Sequence, residues 1–200
     1  MRVTVGIPTQ WGLWRAQMGL SLIAALSDLK CDFLLSPQNG PYLDDNREAS
    51  ASDARADESD YLLFVDTDMA FPPFALRQLI EAKKDVIGAN YYEKRLPLVS
   101  TVKMANAKGE LLQDNEHVRM DLPTEPFPVA GLGAGLLCIN MQRMVEMMAP
   151  PYFAFADQHG FRMGEDLAFC TRARKAGLQV WCDPTIPVAH IGDYPYGKFD

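Results

Sequence analysis

Two carboxylates separated by one residue, Asp66 and Asp68, are the side chains of this 200-residue chain whose types and spacing best suit chemistry. They flank Thr67 and directly follow an apolar run at residues 61–65. Carboxylates so close together repel each other unless a cation or hydrogen-bond donors compensate their charge. Mg²⁺ and Mn²⁺ prefer oxygen ligands and commonly combine one or two carboxylates with substrate phosphates. The pattern indicates a divalent cation that carries a phosphorylated ligand. The alternative is a surface turn, where Asp is common for backbone reasons.

The apolar run before the carboxylates is the element that must position them. A short continuous run of this kind suits a strand that is buried on both faces, as in a parallel sheet between helices. A buried helical segment would look similar, but two prolines, Pro72 and Pro73, follow too soon for a long helix. In open α/β sheets, ligands bind at the carboxyl ends of the strands. The run therefore predicts a strand whose carboxyl end presents both Asp side chains to a ligand.

The opening of the chain predicts further residues at the carboxyl ends of the strands, near the Asp pair. A β-branched run at residues 2–9 ends in Pro8 and Thr9 and indicates the first strand and its exit loop. Apolar residues at helical spacing over 13–29 and a short apolar run at 33–35 predict a helix and a second strand. Strand, helix and strand form a right-handed parallel unit, which puts Pro8 and Thr9 near the Asp pair. The polar segment 44–59 predicts an exposed helix, on which the plain interpretation of Arg47 is a solvated side chain.

The second half of the chain offers three weaker signals. Glycines at alternate positions, among them Gly133 and Gly135, precede a strong strand signal. This order is the reverse of a dinucleotide fingerprint, so glycine here indicates close approach of a backbone or ligand. Glu165 and Asp166 open a helix that Gly177 ends, although the helix dipole alone favours carboxylates in a first turn. The late histidine, His190, is of a kind that is more often structural than a ligand.

Composition narrows the class of protein. A hydrophobic fraction of 48% and a charged fraction of 22% are ordinary for a soluble domain with a real core. A net charge of −7 argues against a nucleic-acid or anionic-membrane surface. The four cysteines form no C-x-x-C pair, which favours buried thiols in a reducing, cytoplasmic setting. No apolar run reaches the roughly 20 residues of a membrane span, and residues 18–26 indicate an ordinary helix rather than a signal sequence.

Taken in order, the strand ending in the Asp pair, the helix opening with Glu165 and the late His190 resemble the family-2-like glycosyltransferases of the GT-A fold. The segments that carry the resemblance are 5–9, 61–69, 71–73, 131–139, 164–170 and 189–192. The resemblance implies a single α/β domain with a Rossmann-like, mostly parallel central sheet flanked by helices. It implies a nucleotide-sugar-binding half at 1–105, an acceptor and catalytic half at 106–192, and a tail at 193–200.

The resemblance also implies a role for each matching residue. Asp68 would be a direct ligand of Mn²⁺ or Mg²⁺, Asp66 would help through ribose, water or metal, and His190 would be the late third ligand. Asp166, next to Glu165, would be the catalytic base of an inverting transfer, although retaining relatives leave the stereochemistry open. The expected nucleotide-sugar contacts are Pro8, Thr9, Arg47, Asp66, Thr67 and the small-residue segment Gly133, Ala134 and Gly135.

The implied activity is transfer of a sugar from a UDP- or GDP-linked donor to a hydroxyl of a saccharide, lipid or protein. No nucleic acid and no membrane span are expected, and a homo-oligomer is possible. Either the short tail is a lid, with Lys198 near the diphosphate, or a partner or second subunit binds the acceptor. Two alternatives stay open. One is a non-catalytic nucleotide-sugar-binding module. The other is a haloacid-dehalogenase-like phosphatase, which Ala70 disfavours because Thr or Val is expected there.

Overall fold

Seven strands form the central sheet in the computed structural model, which describes residues 1–111, 122–158, 161–192 and 195–197. The sheet order is β2-β1-β3-β7-β5-β10-β6, and a second, three-stranded sheet has the order β12-β11-β4. The described strands are β1 Arg2–Thr9, β2 Asp32–Asn39, β3 Tyr61–Val65, β4 Met69–Ala70, β5 Val86–Ala89, β6 Phe127–Pro128, β7 Leu136–Asn140, β8 Ala156–Gln158, β9 Phe161–Met163, β10 Val180–Asp183, β11 Ala189–Ile191 and β12 Pro195–Tyr196. The described helices are α1 Ala16–Asp28, α2 Leu43–Ala56, α3 Ala75–Glu81, α4 Met141–Met147 and α5 Glu165–Lys175.

The central sheet is mostly parallel, as the sequence predicts. β1 pairs in parallel with β2 and β3, and β5 pairs in parallel with β10, whereas β7 and β6 run antiparallel to their neighbours. The register of β1 on β3 joins Val3 to Tyr61 and Gly6 to Phe64. The carboxyl ends of β1 and β3 therefore lie side by side, which brings the loop after Thr9 next to the Asp pair.

The central sheet is buried on both faces at β3, which explains the continuous apolar run in this strand. Leu63 and Val65 belong to a core with α1 and α3, and Leu62 and Phe64 belong to a core with α2, α4 and α5. Successive side chains of a strand point to opposite faces, so each face needs its own apolar residues. None of the helices in the described residues is long and apolar enough to cross a membrane.

Two expectations about the first helices need correction. α1 begins at Ala16 rather than near residue 13, because residues 11 and 12 form a separate turn and residues 13–15 are not helical. α2 is not an exposed helix, since Arg47, Ser50, Ala51 and Ala54 are buried. Its small side chains allow close packing on the sheet: a Cβ at Gly6 would lie 2.8 Å from the Ser50 Cβ. The polar composition of α2 hid this packing face.

The small sheet joins distant parts of the chain at the end of β3. β11 pairs with β4, and the register puts His190 opposite Met69. The Ile191 amide donates a 2.7 Å hydrogen bond to the Asp68 carbonyl. This pairing carries His190 to the Asp pair. Most of the expected tail lid, including Lys198, lies outside the described residues.

Candidate functional site

A cleft of about 590 Å³ opens at the carboxyl ends of β1 and β3. Asp66, Thr67 and Asp68 line it on the β3 side, and Pro8 lines it on the β1 side. The other lining residues are Gln10, Trp11, Leu13, Trp14, Arg15, Leu43 and Lys94. The position agrees with the general placement of ligand sites in open α/β sheets.

Arg47 joins three elements beneath this cleft. Its side chain is only 2% exposed, and its Nη2 donates to both Asp66 carboxylate oxygens at 2.8 and 3.1 Å. The guanidinium also donates from Nε to Glu165 Oε1 at 3.1 Å and from Nη1 to the Ala134 carbonyl at 3.3 Å. Its carbon Cζ lies 5.1 Å from the Phe64 ring centroid. One buried cation therefore fixes the end of β3, the start of α5 and the small-residue segment relative to α2.

The negative charges around Arg47 outnumber its single positive charge, because Asp66, Glu165 and Asp166 all act on it. Burial would lower the pKa of Arg47, but Asp66 and Glu165 outweigh burial and raise it, so the guanidinium stays charged. Burial raises the pKa of Asp66, and the Asp68 charge adds to this, while Arg47 opposes both. An excess of negative charge in a buried site favours the binding of a further cation.

The second carboxylate of the pair, Asp68, contacts two other basic groups. Its Oδ1 lies 3.4 Å from His190 Nε2, and its Oδ2 forms an ion pair with Lys94 Nζ. Burial would raise the pKa of Asp68, but hydrogen bonds and charge from His190 and Lys94 outweigh it and lower this pKa to about 2. Asp68 is therefore a carboxylate at neutral pH.

The donor set fits a divalent cation that keeps other ligands of its own. His190 Nδ1 lies 3.0 Å from the Tyr92 carbonyl, which can only accept, so Nδ1 carries a proton, and Nε2 is the ring nitrogen that faces Asp68. A ring oriented in this way is typical of metal-ligating histidines. Asp68 and His190 offer two candidate ligands, and no group of three or more His, Cys, Asp or Glu that could hold a metal occurs in the described residues. Two protein ligands suit a cation that retains water and substrate phosphates.

The glycine-rich segment before β7 packs against Tyr91. A Cβ at Gly133 would lie 2.1 Å from the Tyr91 hydroxyl, and the Gly135 amide donates to this hydroxyl at 3.1 Å. Burial, together with the Asp66 and Asp166 charges, raises the pKa of Tyr91 well above its usual range. The glycines thus admit a neutral phenol that stacks edge-on against His190 at 5.4 Å.

Asp166 lies in the first turn of α5 and is half-buried. Its Oδ1 accepts a 2.7 Å hydrogen bond from the Leu167 amide. Burial, and then the Glu165 charge, raises the pKa of Asp166 to about 6. A carboxylate with its pKa near neutrality has the protonation behaviour of a general base.

The residues predicted from the sequence fall into three groups in the structure. Pro8, Asp66, Thr67 and Asp68 line the cleft. Thr9, Arg47, Ala134 and Glu165 are buried beneath it, with Gly133 and Gly135 in the same layer. Asp166 and His190 are partly buried and lie outside the cleft lining. Arg47, which was expected to be a solvated side chain or a nucleotide contact, has its donors engaged by protein acceptors.

Sequence reasoning missed several cleft residues. Trp11 and Trp14 are 79% and 42% exposed although they line the cleft, and Trp11 has φ 68°, which is uncommon for a bulky residue. Arg15 is next to them, and its amide donates to the Thr67 carbonyl at 2.9 Å. The available signal was the cluster of aromatic and basic residues directly after the first strand, which was interpreted as the start of α1.

Solved structures with the same fold include A197 from STIV, with 18% sequence identity, a TM-score of 0.68, and coverage of 100% of this chain and 95% of that chain. Another is GalNAc-T7, crystallised with UDP, GalNAc and Mn²⁺, at 11% identity and a TM-score of 0.59. That match covers 96% of this chain and 44% of the GalNAc-T7 chain. No protein-family model and no curated protein sequence matches the chain. The likenesses confirm the α/β, GT-A-like fold that the sequence predicts.

Proposed function

We propose that the protein is a metal-dependent glycosyltransferase that moves a sugar from a nucleotide-diphosphate sugar to an acceptor hydroxyl. The observation that carries this proposal is the convergence of Asp68 and His190, 3.4 Å apart, beside a cleft at the carboxyl ends of β1 and β3. The shared fold with GalNAc-T7, whose crystal structure contains UDP, GalNAc and Mn²⁺, supports the same assignment.

The nucleotide would lie along the β1 side of the cleft. Trp11 and Trp14 offer exposed aromatic faces on which a base can stack, beside the Pro8 loop. Stacking of a base on an aromatic side chain contributes about 1–3 kcal/mol to binding. Arg15 and Lys94 line the same cleft and would compensate the diphosphate charge. Since these residues all lie within 1–105, they support a donor-binding first half, with Asp166 and His190 coming from 106–192.

Asp68 and His190 would hold Mn²⁺ or Mg²⁺. Asp66, which Arg47 holds in place, would be a fixed negative charge next to the cation. When bound, the cation neutralises the leaving diphosphate. Arg47 is then a positioning residue, because its guanidinium holds Asp66 and Glu165 in place. Its fork geometry suits this role, since one planar group can bind several acceptors at fixed angles.

Asp166 would act as the general base. The acceptor oxygen forms a bond to the anomeric carbon, the bond from that carbon to the diphosphate oxygen breaks, and the acceptor proton passes to Asp166. Its Oδ1 is held by the Leu167 amide, and the raised pKa suits proton acceptance near neutrality. A single displacement of this kind inverts the configuration of the anomeric carbon. An inverted product would therefore support a mechanism with Asp166 as the base and no nucleophile from the protein.

A second candidate is a nucleotide-sugar-binding module without turnover. The position of Asp166, half-buried and outside the cleft lining, favours it. A phosphatase with Asp66 as nucleophile has less support, because both oxygens of Asp66 accept hydrogen bonds from Arg47. Such pairing makes a carboxylate a poor nucleophile.

Calorimetric titration with UDP and then GDP, with and without Mn²⁺, tests the donor site. We expect Mn²⁺-dependent binding of one nucleotide to wild type and its loss in Asp68→Ala. Asp32→Ala is the matched control. Asp32 is an exposed carboxylate at the amino end of β2, whereas the cleft lies at the carboxyl ends of the strands. Absence of binding for both nucleotides would refute the donor site. Binding without sugar transfer to a panel of saccharide, lipid and peptide acceptors would select the binding module.

A further inference from the structure

Lys94 forms an ion pair that the proposed transfer does not explain. Its ammonium forms an ion pair with Asp68 Oδ2, on the carboxylate whose other oxygen faces His190. The Lys94 side chain is 35% exposed and lines the same cleft as Trp11 and Trp14. Lys94 is thus a cation of the protein at the place where the proposed donor site needs a divalent cation.

The stem of Lys94 is held in place by a close backbone approach. A Cβ at Gly192 would lie 3.3 Å from Lys94 Cδ and 3.6 Å from Cγ, so the stem crosses a position without a side chain. Gly192 directly follows β11, which carries His190. The same strand end therefore positions both the imidazole and the lysine stem around Asp68.

A divalent cation on Asp68 would compete with this ion pair. The ammonium and the metal carry charge of the same sign and would share one carboxylate, so the bound metal repels Lys94. The ion pair must open before the carboxylate is available, which lowers the apparent affinity for the metal by the fraction of molecules that are open. Once released, the ammonium lies at the wall of a cleft that receives an anionic diphosphate.

We propose that Lys94 is an internal counter-ion of Asp68 that a divalent cation displaces, after which its ammonium binds the donor diphosphate. The proposal rests on the proposed function, because it assumes that the cleft takes a metal and a nucleoside diphosphate. It assigns to Lys94 opposite effects on the two ligands: it weakens binding of the metal alone and strengthens binding of the nucleotide.

The test measures Mn²⁺ binding without nucleotide, by the electron paramagnetic resonance signal of free Mn²⁺, and UDP and GDP binding at saturating Mn²⁺ by calorimetry. In Lys94→Met, which keeps the stem over Gly192, we expect Mn²⁺ to bind about five- to tenfold more tightly, the range expected for loss of one partly exposed ion pair and its repulsion. The same variant should bind the nucleotide about tenfold more weakly, because one charge-assisted contact is lost. Lys94→Arg keeps the charge and should return both affinities towards wild type.

Lys30→Met is the matched control. Lys30 is exposed just before the amino end of β2, whereas the cleft lies at the carboxyl ends of the strands. It should change neither affinity. Unchanged or weaker Mn²⁺ binding in Lys94→Met would overturn the proposal, and so would weaker binding of both ligands, which indicates a structural role. If wild type binds the nucleotide with Mn²⁺, and Lys94→Met and Lys94→Arg bind both ligands with the same affinities as wild type, only the role assigned to Lys94 fails. If wild type and Lys94→Met bind neither Mn²⁺ nor nucleotide, the proposed function itself fails.

Discussion

Replacing Arg47 by Met tests the claim that one buried cation holds the site together. Arg47 is 2% exposed, and it pairs with Asp66 at 2.8 Å and with Glu165 at 3.1 Å. The link between Arg47 and Glu165 spans 118 residues of sequence. Methionine fills much of the same volume against Phe64 but leaves the buried Glu165 and the partly buried Asp66 without their partner.

The expected loss follows from the unpaired charges. Removing one partner of a buried ion pair costs about 3–5 kcal/mol, because the remaining charge is desolvated without compensation. For a domain of this size, about 2–4 °C of melting temperature is lost per kcal/mol, so we expect a decrease on the order of 10 °C. The loss is a large part of the roughly 5–15 kcal/mol that typically stabilises a domain.

Thermal and urea unfolding of wild type and Arg47→Met measure this loss. Arg77→Met is a matched control, because Arg77 also pairs with two carboxylates, Asp28 at 2.7 Å and Glu81 at 3.1 Å, but lies exposed on α3. Water already solvates that guanidinium, so its removal should leave the melting temperature close to wild type.

A compensated variant separates charge from packing. Arg47→Met combined with Asp66→Asn and Glu165→Gln removes the unpaired charges, and we expect it to recover most of the lost stability. A loss below about 1 kcal/mol in Arg47→Met would refute the reasoning about buried charge. So would a triple variant that is no more stable than the single one.

Two further predictions concern Asp166 and Gly133. The pKa of Asp166 is raised from 3.8 to about 6, so its ionisation destabilises the folded state above pH 6, and this cost fades as the pH falls towards 4. Asp166→Asn should therefore be more stable than wild type at pH 8 by up to about 3 kcal/mol, with little gain at pH 4 in thermal unfolding. If Asp166 is the base, wild-type transfer should fall below pH 6 and the variant should be inactive; equal stability at pH 8 would contradict the burial argument. Gly133→Ala puts a Cβ 2.1 Å from the Tyr91 hydroxyl and should cost about 1–3 kcal/mol in urea unfolding. Gly19→Ala is its control, since nothing lies within 4 Å of that position in α1, and it should be neutral or stabilising.

Local patterns in the sequence determined the elements that carry the Asp pair. The apolar run of β3 reflects burial on both faces, and this requirement is visible without knowing the partners. The first strand, the start of α5 at Glu165 and the turn at Gly177, with φ 93°, likewise follow from β-branching, helix-end preferences and positive φ. Ligands in open α/β sheets bind at the carboxyl ends of the strands, so the position of the cleft was also predictable.

Only the tertiary structure decided what the site side chains contact. His190 reaches Asp68 because β11 pairs with β4, and no periodicity in the sequence specifies that pairing. Arg47 is buried because the small residues of α2 let the helix approach the sheet, although the polar composition of α2 indicated exposure. Lys94 meets Asp68 through a loop that crosses Gly192. Secondary structure follows from interactions between near neighbours in the chain, whereas a site assembled from widely separated segments depends on their packing in space.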